Sequence, residues 1–136
     1  MKKKFSKKWK SSKQPRKQRK YLHNLPKHLK QKLMAATLDK VLRKKYGKRN
    51  LELKKGDEVK VMRGEFKGKT GKVLEVDRKK VRVTIEGIHR TKKDGNKVKV
   101  WFHPSKLKII KVDEGDKKRF KDRKKKEEKE NAQEKK

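Results

Sequence analysis

The chain contains no cysteine, which excludes disulfides and thiolate metal sites. It also lacks early acid: the first carboxylate is Asp39. No apolar run approaches the roughly 18 residues of a membrane span. The basic start MKKKFSKKWK is followed by no apolar segment of the kind a secretory signal carries. Only 28% of residues are hydrophobic while 49% are charged, so much of the chain cannot bury enough apolar surface to order itself. These absences predict a soluble, intracellular protein with no membrane partner.

What is present is positive charge. Lys and Arg number 50 against 17 Asp and Glu, a net of +33. Charge of one sign at this density repels itself, so a polyanionic partner is expected. The 136 residues suffice for one domain with extensions.

Charge and apolar content divide the chain differently. Residues 1–23 carry eleven Lys/Arg and no acid, whereas residues 113–136 carry eleven basic and eight acidic side chains. Apolar residues concentrate between Leu51 and Val112. Four regions follow: a basic extension over 1–26, a helical segment over 27–50, a core over 51–112 and a charged tail over 113–136. Residues 1–23 have too few apolar side chains to fold against self-repulsion, so they are expected to be disordered in the free protein and to order on a polyanion.

The core reads as mainly β. Alternation marks strands at Asp57–Met62, Lys72–Val76, Val81–Ile85, Lys97–Phe102 and Leu107–Val112. Asp77 opens a polar tip suited to a hairpin turn, and Asp94-Gly95 is a strong turn signal. Five short strands with no helix between them indicate a small antiparallel barrel or sandwich. Val59, Val61, Val73, Val83, Ile85, Val100 and Ile109 are its expected interior.

Upstream, Pro26–Tyr46 reads as helical, with Gly47 where a C-terminal stop belongs. The apolar face jumps near Ala36-Thr37, which predicts two short helices over about 27–35 and 38–46, with Thr37 as a cap. One kinked helix is the alternative.

The segment VKVMRGEFKGKTGKV, Val59 to Val73, places Gly64, Gly68 and Gly71 between two strands. Glycine takes positive φ or lets another backbone approach closely. With Lys67, Lys69 and Lys72 beside them, these glycines make a loop able to lie flat on a phosphate backbone. From spacing alone, a mobile hairpin with solvated lysines is equally consistent.

The spacing matches the KOW motif at Val59, Val61, Gly64, Lys67, Gly68, Gly71 and Val73. Together with SSKQPRKQRK, LRKKYGKRNL and HPSKLKI, the chain resembles the archaeal and eukaryotic branch of the universal large-subunit ribosomal protein twenty-four over residues 11–112. The resemblance implies a small five-stranded SH3-like barrel with a short helical N-terminal segment and basic extensions. It also implies a structural, ribosome-bound role: binding large-subunit rRNA near the polypeptide exit, beside neighbouring large-subunit proteins, and acting early in assembly. At Ala36-Thr37 the chain departs from relatives that often carry a proline, and Trp101-Phe102 is a second departure.

No enzyme is visible. His23, His28, His89 and His103 show no paired metal-ligand spacing, and the glycine loop is not the G-x-x-x-x-G-K-[ST] of a P-loop. No cofactor or small-molecule substrate is expected. The candidate RNA contacts begin in the extension, where Phe5 and Trp9 are interleaved with cations and can stack on unpaired bases. Tyr21 is equally consistent with an anchor that holds the extension to the helices. Arg16, Lys17, Arg19 and Lys20 form the densest phosphate-binding cluster, followed by Lys27 and Lys30 on the helical segment. In the core the candidates are Arg63, Lys67, Gly68, Lys69 and Lys72 of the glycine loop, and Arg78, Lys79 and Lys80 of the first hairpin. Arg90, Lys92, Lys93, His103, Ser105 and Lys106 complete the set. The tail, rich in Lys and Glu, is either a solvated helix or disordered and is assigned no site.

Two other classes carry such features. A KOW-type transcription-elongation factor should have an α/β domain of roughly 80 or more residues ahead of the motif, where this chain has about 50 very basic ones. A basic chromatin protein would bind duplex DNA by charge alone; composition does not separate it from an RNA binder, because phosphate contacts carry little sequence information.

Overall fold

The alternation at Val59 and Val61 becomes a strand because both valines are fully buried while Lys60 between them is exposed. The structure, a computed structural model, describes residues 5, 6, 8 and 12–120. Trp9 and the tail beyond Phe120 lie outside the described residues.

In chain order the elements are α1 (Pro15–Asn24), α2 (Lys27–Leu33), β1 (Ala35–Leu38), α3 (Lys40–Tyr46), β2 (Asn50–Glu52), β3 (Glu58–Val61), β4 (Thr70–Asp77), β5 (Arg82–Thr91), β6 (Lys97–Phe102) and β7 (Leu107–Lys111). Short 3-10 turns cover Pro104–Lys106 and Lys117–Phe120. Among the described residues the strands form one mixed sheet of seven, in the order β2-β1-β7-β3-β4-β5-β6. The expected count of five is therefore corrected to seven.

The two extra strands come from the segment read as helical and from its exit. Ala36 and Leu38 alternate inward, and β1 is held antiparallel to β2 and parallel to β7 through Thr37↔Lys108 and Leu38↔Ile109. Thr37 is thus a strand residue and not a cap; Asp39 occupies the N-cap position of α3. The apolar face jumps at Ala36-Thr37 because the chain leaves the helix there and enters a sheet. Gly47, at φ 58°, ends α3 in the left-handed region as its position predicts.

The extension is also more ordered than its charge suggests. Pro15 sits in the first turn of α1, where its missing N–H costs no hydrogen bond. The helix then runs on Lys, Arg and Gln, which are good helix formers, and Leu25 behind it is buried. The expectation of disorder over 1–23 does not hold from Pro15 onward.

Of the seven expected interior residues, Val59, Val61, Val73, Val83, Ile85 and Ile109 are buried, and Val100 packs half-buried against them. Met34, Ala36, Leu38, Leu51, Leu53, Ile88, Phe102 and Leu107 are buried with them. β4 and β5 outrun their expected limits because bulges at Val73/Glu75 and Thr84/His89 let them bend without breaking.

The segment after β7 turns back onto the sheet. Asp57 is fully buried, and its carboxylate accepts from the backbone N–H of Lys54 (2.9 Å) and Asp113 (3.1 Å). Arg119 donates both terminal nitrogens to it, one at 2.9 Å, and also reaches the Glu52 carbonyl. Phe120 stacks on Tyr46 at 4.7 Å. The Glu114 carboxylate accepts from Tyr46 Oη and Lys45 Nζ, each at 2.6 Å. Lys45, followed by Tyr46, holds that carboxyl below its ordinary pKa; burial, with Glu114 accepting its proton, pushes the Tyr46 phenol up.

Candidate nucleic-acid interface

The loop between β3 and β4 is built by its glycines in two different ways. Gly64 and Gly68 adopt φ 92° and 91°, the left-handed geometry that lets the chain fold back. Gly68 N–H then donates to Val61 O at 2.8 Å, and Val61 N–H donates to Lys69 O at 2.9 Å, which closes the loop. Gly71 has no positive φ. A Cβ there would meet the Glu86 carbonyl oxygen and Ile85 Cγ2, each at 2.7 Å, so glycine is required by close approach of β5.

One aromatic residue fastens the loop to the sheet. Phe66 meets Phe102 edge to face at 6.0 Å. Lys69 Nζ lies 5.2 Å and the Arg90 guanidinium 5.8 Å from the Phe66 ring centroid, and Arg90 is paired with Glu65. Met62 N–H donates to Lys106 O at 2.8 Å, tying the loop to the turn after β6. Lys69 and Arg90 therefore meet at Phe66, and the loop that carries Arg63 and Lys67 is bonded to the turn that carries His103, Ser105 and Lys106; all seven residues are exposed. The mobile-hairpin reading does not fit a loop bonded in this way.

A second cluster forms around the β4–β5 turn. Asp77 Oδ1 accepts from the N–H of Lys79 (2.8 Å) and Lys80 (3.2 Å), as the hairpin signal predicts, and leaves Arg78, Lys79 and Lys80 exposed. Lys30 Nζ reaches the carbonyls of His23 and Lys79, both at 3.4 Å, and so joins α1, α2 and this turn. Lys27 borders the same turn across an open groove that Arg78 and Lys79 also line. Exposed Lys72 stands on β4.

Other candidates stand apart. Lys92 and Lys93 occupy the tip of the β5–β6 hairpin, beyond the last paired residues Thr91↔Lys97. Arg16, Lys17, Arg19 and Lys20 are exposed on α1. The Phe5 ring lies 5.2 Å from Tyr21, so protein occupies part of the surface expected to face RNA, and Tyr21 anchors the extension. Sequence reasoning missed Trp101, which is 42% exposed beside Leu74 in the groove bordered by Lys27. Its β-alternation hid it, because Trp101 sits between inward-facing Val100 and Phe102. Among the described residues no group of three or more His, Asp or Glu could hold a metal.

A mainly β domain whose glycine loops carry exposed cations defines a class of small, strongly basic β proteins. Within that class, residues 12–126 match the family model of the eukaryotic ribosomal proteins L26 and their archaeal counterparts. The large ribosomal subunit protein uL24 of Sulfolobus acidocaldarius is 52% identical over 109 residues, which cover 80% of this chain and 81% of that protein. The chain belongs to this archaeal and eukaryotic family of ribosomal proteins. Its role is structural and not enzymatic, and it resides on the ribosome in the cytoplasm.

Proposed function

We propose that the protein binds large-subunit rRNA through the β3–β4 loop, the His103–Lys106 turn and the β4–β5 turn, with α1 as a second cationic contact. The domain is read as an SH3-like KOW barrel extended by β1 and β2. Its place is near the polypeptide exit beside neighbouring large-subunit proteins, where it supports early subunit assembly. The carrying observation is the convergence of exposed cations from loops distant in sequence, fixed in place through Phe66 and the Met62–Lys106 bond. Cations so held lose little freedom on meeting phosphates, and they release counterions when they do.

Membership of the family supports the ribosomal setting. The proposed contact set is the one named from sequence, with Phe5 sharing its ring between Tyr21 and RNA.

The test is binding to a large-subunit rRNA fragment and to duplex DNA across a salt series. Full-length protein should prefer the folded RNA at moderate salt. A chain covering 24–136 should show a log K salt slope shallower by about 4 if roughly half of the eleven cations before it reach phosphates. Equal affinity for duplex DNA would instead favour a chromatin-type binder, and parallel salt plots would remove the extension from the interface.

A further inference from the structure

Between α1, α2, the β4–β5 turn and His103 lies a groove of about 470 Å3. Its walls are apolar. Leu22 and Leu33 stand 46% and 40% exposed on successive helices, and Val81 faces the same space half-buried. Its rim is cationic, carrying Lys79 and Lys80. An apolar cleft with fixed positive charge along one side is uncommon on a surface otherwise covered by lysine.

Two features show that this shape is held in place. Val81 has φ 54°, a left-handed conformation that a β-branched residue rarely adopts. Glycine or asparagine would suit that backbone better, so the turn carries strain that keeps an apolar wall in the groove. Lys30 bonds the carbonyls of His23 and Lys79, which sets the spacing between the α1 wall and the turn. His103 Nδ1 lies 2.8 Å from Ser105 Oγ and 3.3 Å from Ser105 N–H, contacts that hold the imidazole where it lines the groove.

The geometry points to a pocket for one unstacked nucleotide of RNA, its base between Leu22, Leu33 and Val81 and its flanking phosphates on Lys79 and Lys80. A base offers apolar faces for these walls and hydrogen-bonding atoms at its edge for His103, and its backbone supplies the anions that the rim matches. An apolar side chain from a neighbouring protein would fit the walls but leave both lysines without a counterpart. This inference rests on the RNA-binding reading above and adds to it a contact made through a base.

The experiment uses full-length protein with labelled Leu and Val methyl groups, a single-stranded octaribonucleotide, and the same backbone made entirely of abasic residues. The Leu22, Leu33 and Val81 methyl signals should move with the base-bearing strand and not with the abasic one. The base-bearing strand should bind about tenfold more tightly, the scale of one base contact. Leu33→Gln, at an exposed position, should erase that difference without altering the salt slope. Val81→Gly should weaken the same strand, since it removes one apolar wall of the groove. Lys79→Ala with Lys80→Ala should lower the slope by about 1.4, two single-strand phosphate contacts. Equal binding of both strands with unmoved methyl signals overturns the pocket while leaving rRNA binding intact. Failure to bind either strand and the rRNA fragment overturns both readings together.

Discussion

Asp57 and Arg119, 62 residues apart in the chain, form a buried two-pronged ion pair at the seam between β3 and the segment that follows β7. The Asp57 side chain is 0% exposed and the Arg119 side chain 3%. Removing the arginine leaves a carboxylate in a site closed to water. Arg119→Ala should therefore lower stability by about 3–5 kcal/mol. Arg119→Lys should recover only part of this, since one ammonium cannot reproduce the fork. Urea titration of the three proteins is the check, and a midpoint unchanged by Arg119→Ala would refute the clamp.

Gly71 and Lys69 separate folding from binding within one loop. Any side chain at Gly71 collides with β5, so Gly71→Val should destabilise by about 1–3 kcal/mol or more, the range for forced overpacking. Lys69 is exposed, and Lys69→Ala should stay within about 0.5 kcal/mol of the parent. Its effect belongs in the salt slope for rRNA, shallower by about 0.7–0.9. Matching urea midpoints for the two variants would contradict the close approach.

Val83 tests the interior. It is fully buried and pairs with Val76 on one side and Phe102 on the other. Val83→Asp places a lone charge there and should cost several kcal/mol. A circular-dichroism melt that overlays the parent would be incompatible with this packing.

Acid should loosen the domain at identifiable contacts. Glu114 titrates below its ordinary 4.5 because of Lys45 and Tyr46, and Asp39 below 3.8 because of Lys108 at 2.5 Å. Both folded values are depressed, so the unfolded chain binds more protons in this range. Their stabilisation is complete above the ordinary carboxylate pKa and is lost as pH falls through the folded one. Melting temperature should drop from about pH 5 to about pH 3, and Glu114→Gln should flatten that drop. An identical acid profile for the variant would show that the Lys45–Glu114 contact does not form in solution.

The sequence was most legible where period and packing agree. Val59, Val61, Val83 and Ile109 lie on strands whose alternation is uninterrupted, and they are buried as expected. Gly71 was legible as a constrained position because its motif spacing left close approach or positive φ as the options. β1 was hidden: Ala35, Ala36 and Leu38 favour helix locally, and only pairing with β2 and β7 makes them a strand. Arg119 was hidden too, because a basic residue in a charged tail looks solvated until its partner, more than sixty residues earlier, is seen. The loop cations were legible by type and placement in the motif. Their convergence was not, since it depends on Phe66 and on a backbone bond that no spacing reveals.

β7 lies between β1 and β3, one strand from the first third of the chain and one from the middle. During synthesis, β3 to β6 can zip as successive hairpins and β1 can pair with β2 as soon as they emerge, but the sides of β1 and β3 that face β7 have no partner until residues 107–111 follow. A nascent chain therefore exposes two bare strand edges for most of its synthesis, the condition under which unrelated chains pair by mistake. Among the described residues the strand made last is the one that joins the two halves, so truncation a few residues before Leu107 should leave an aggregating meander and not a smaller folded protein.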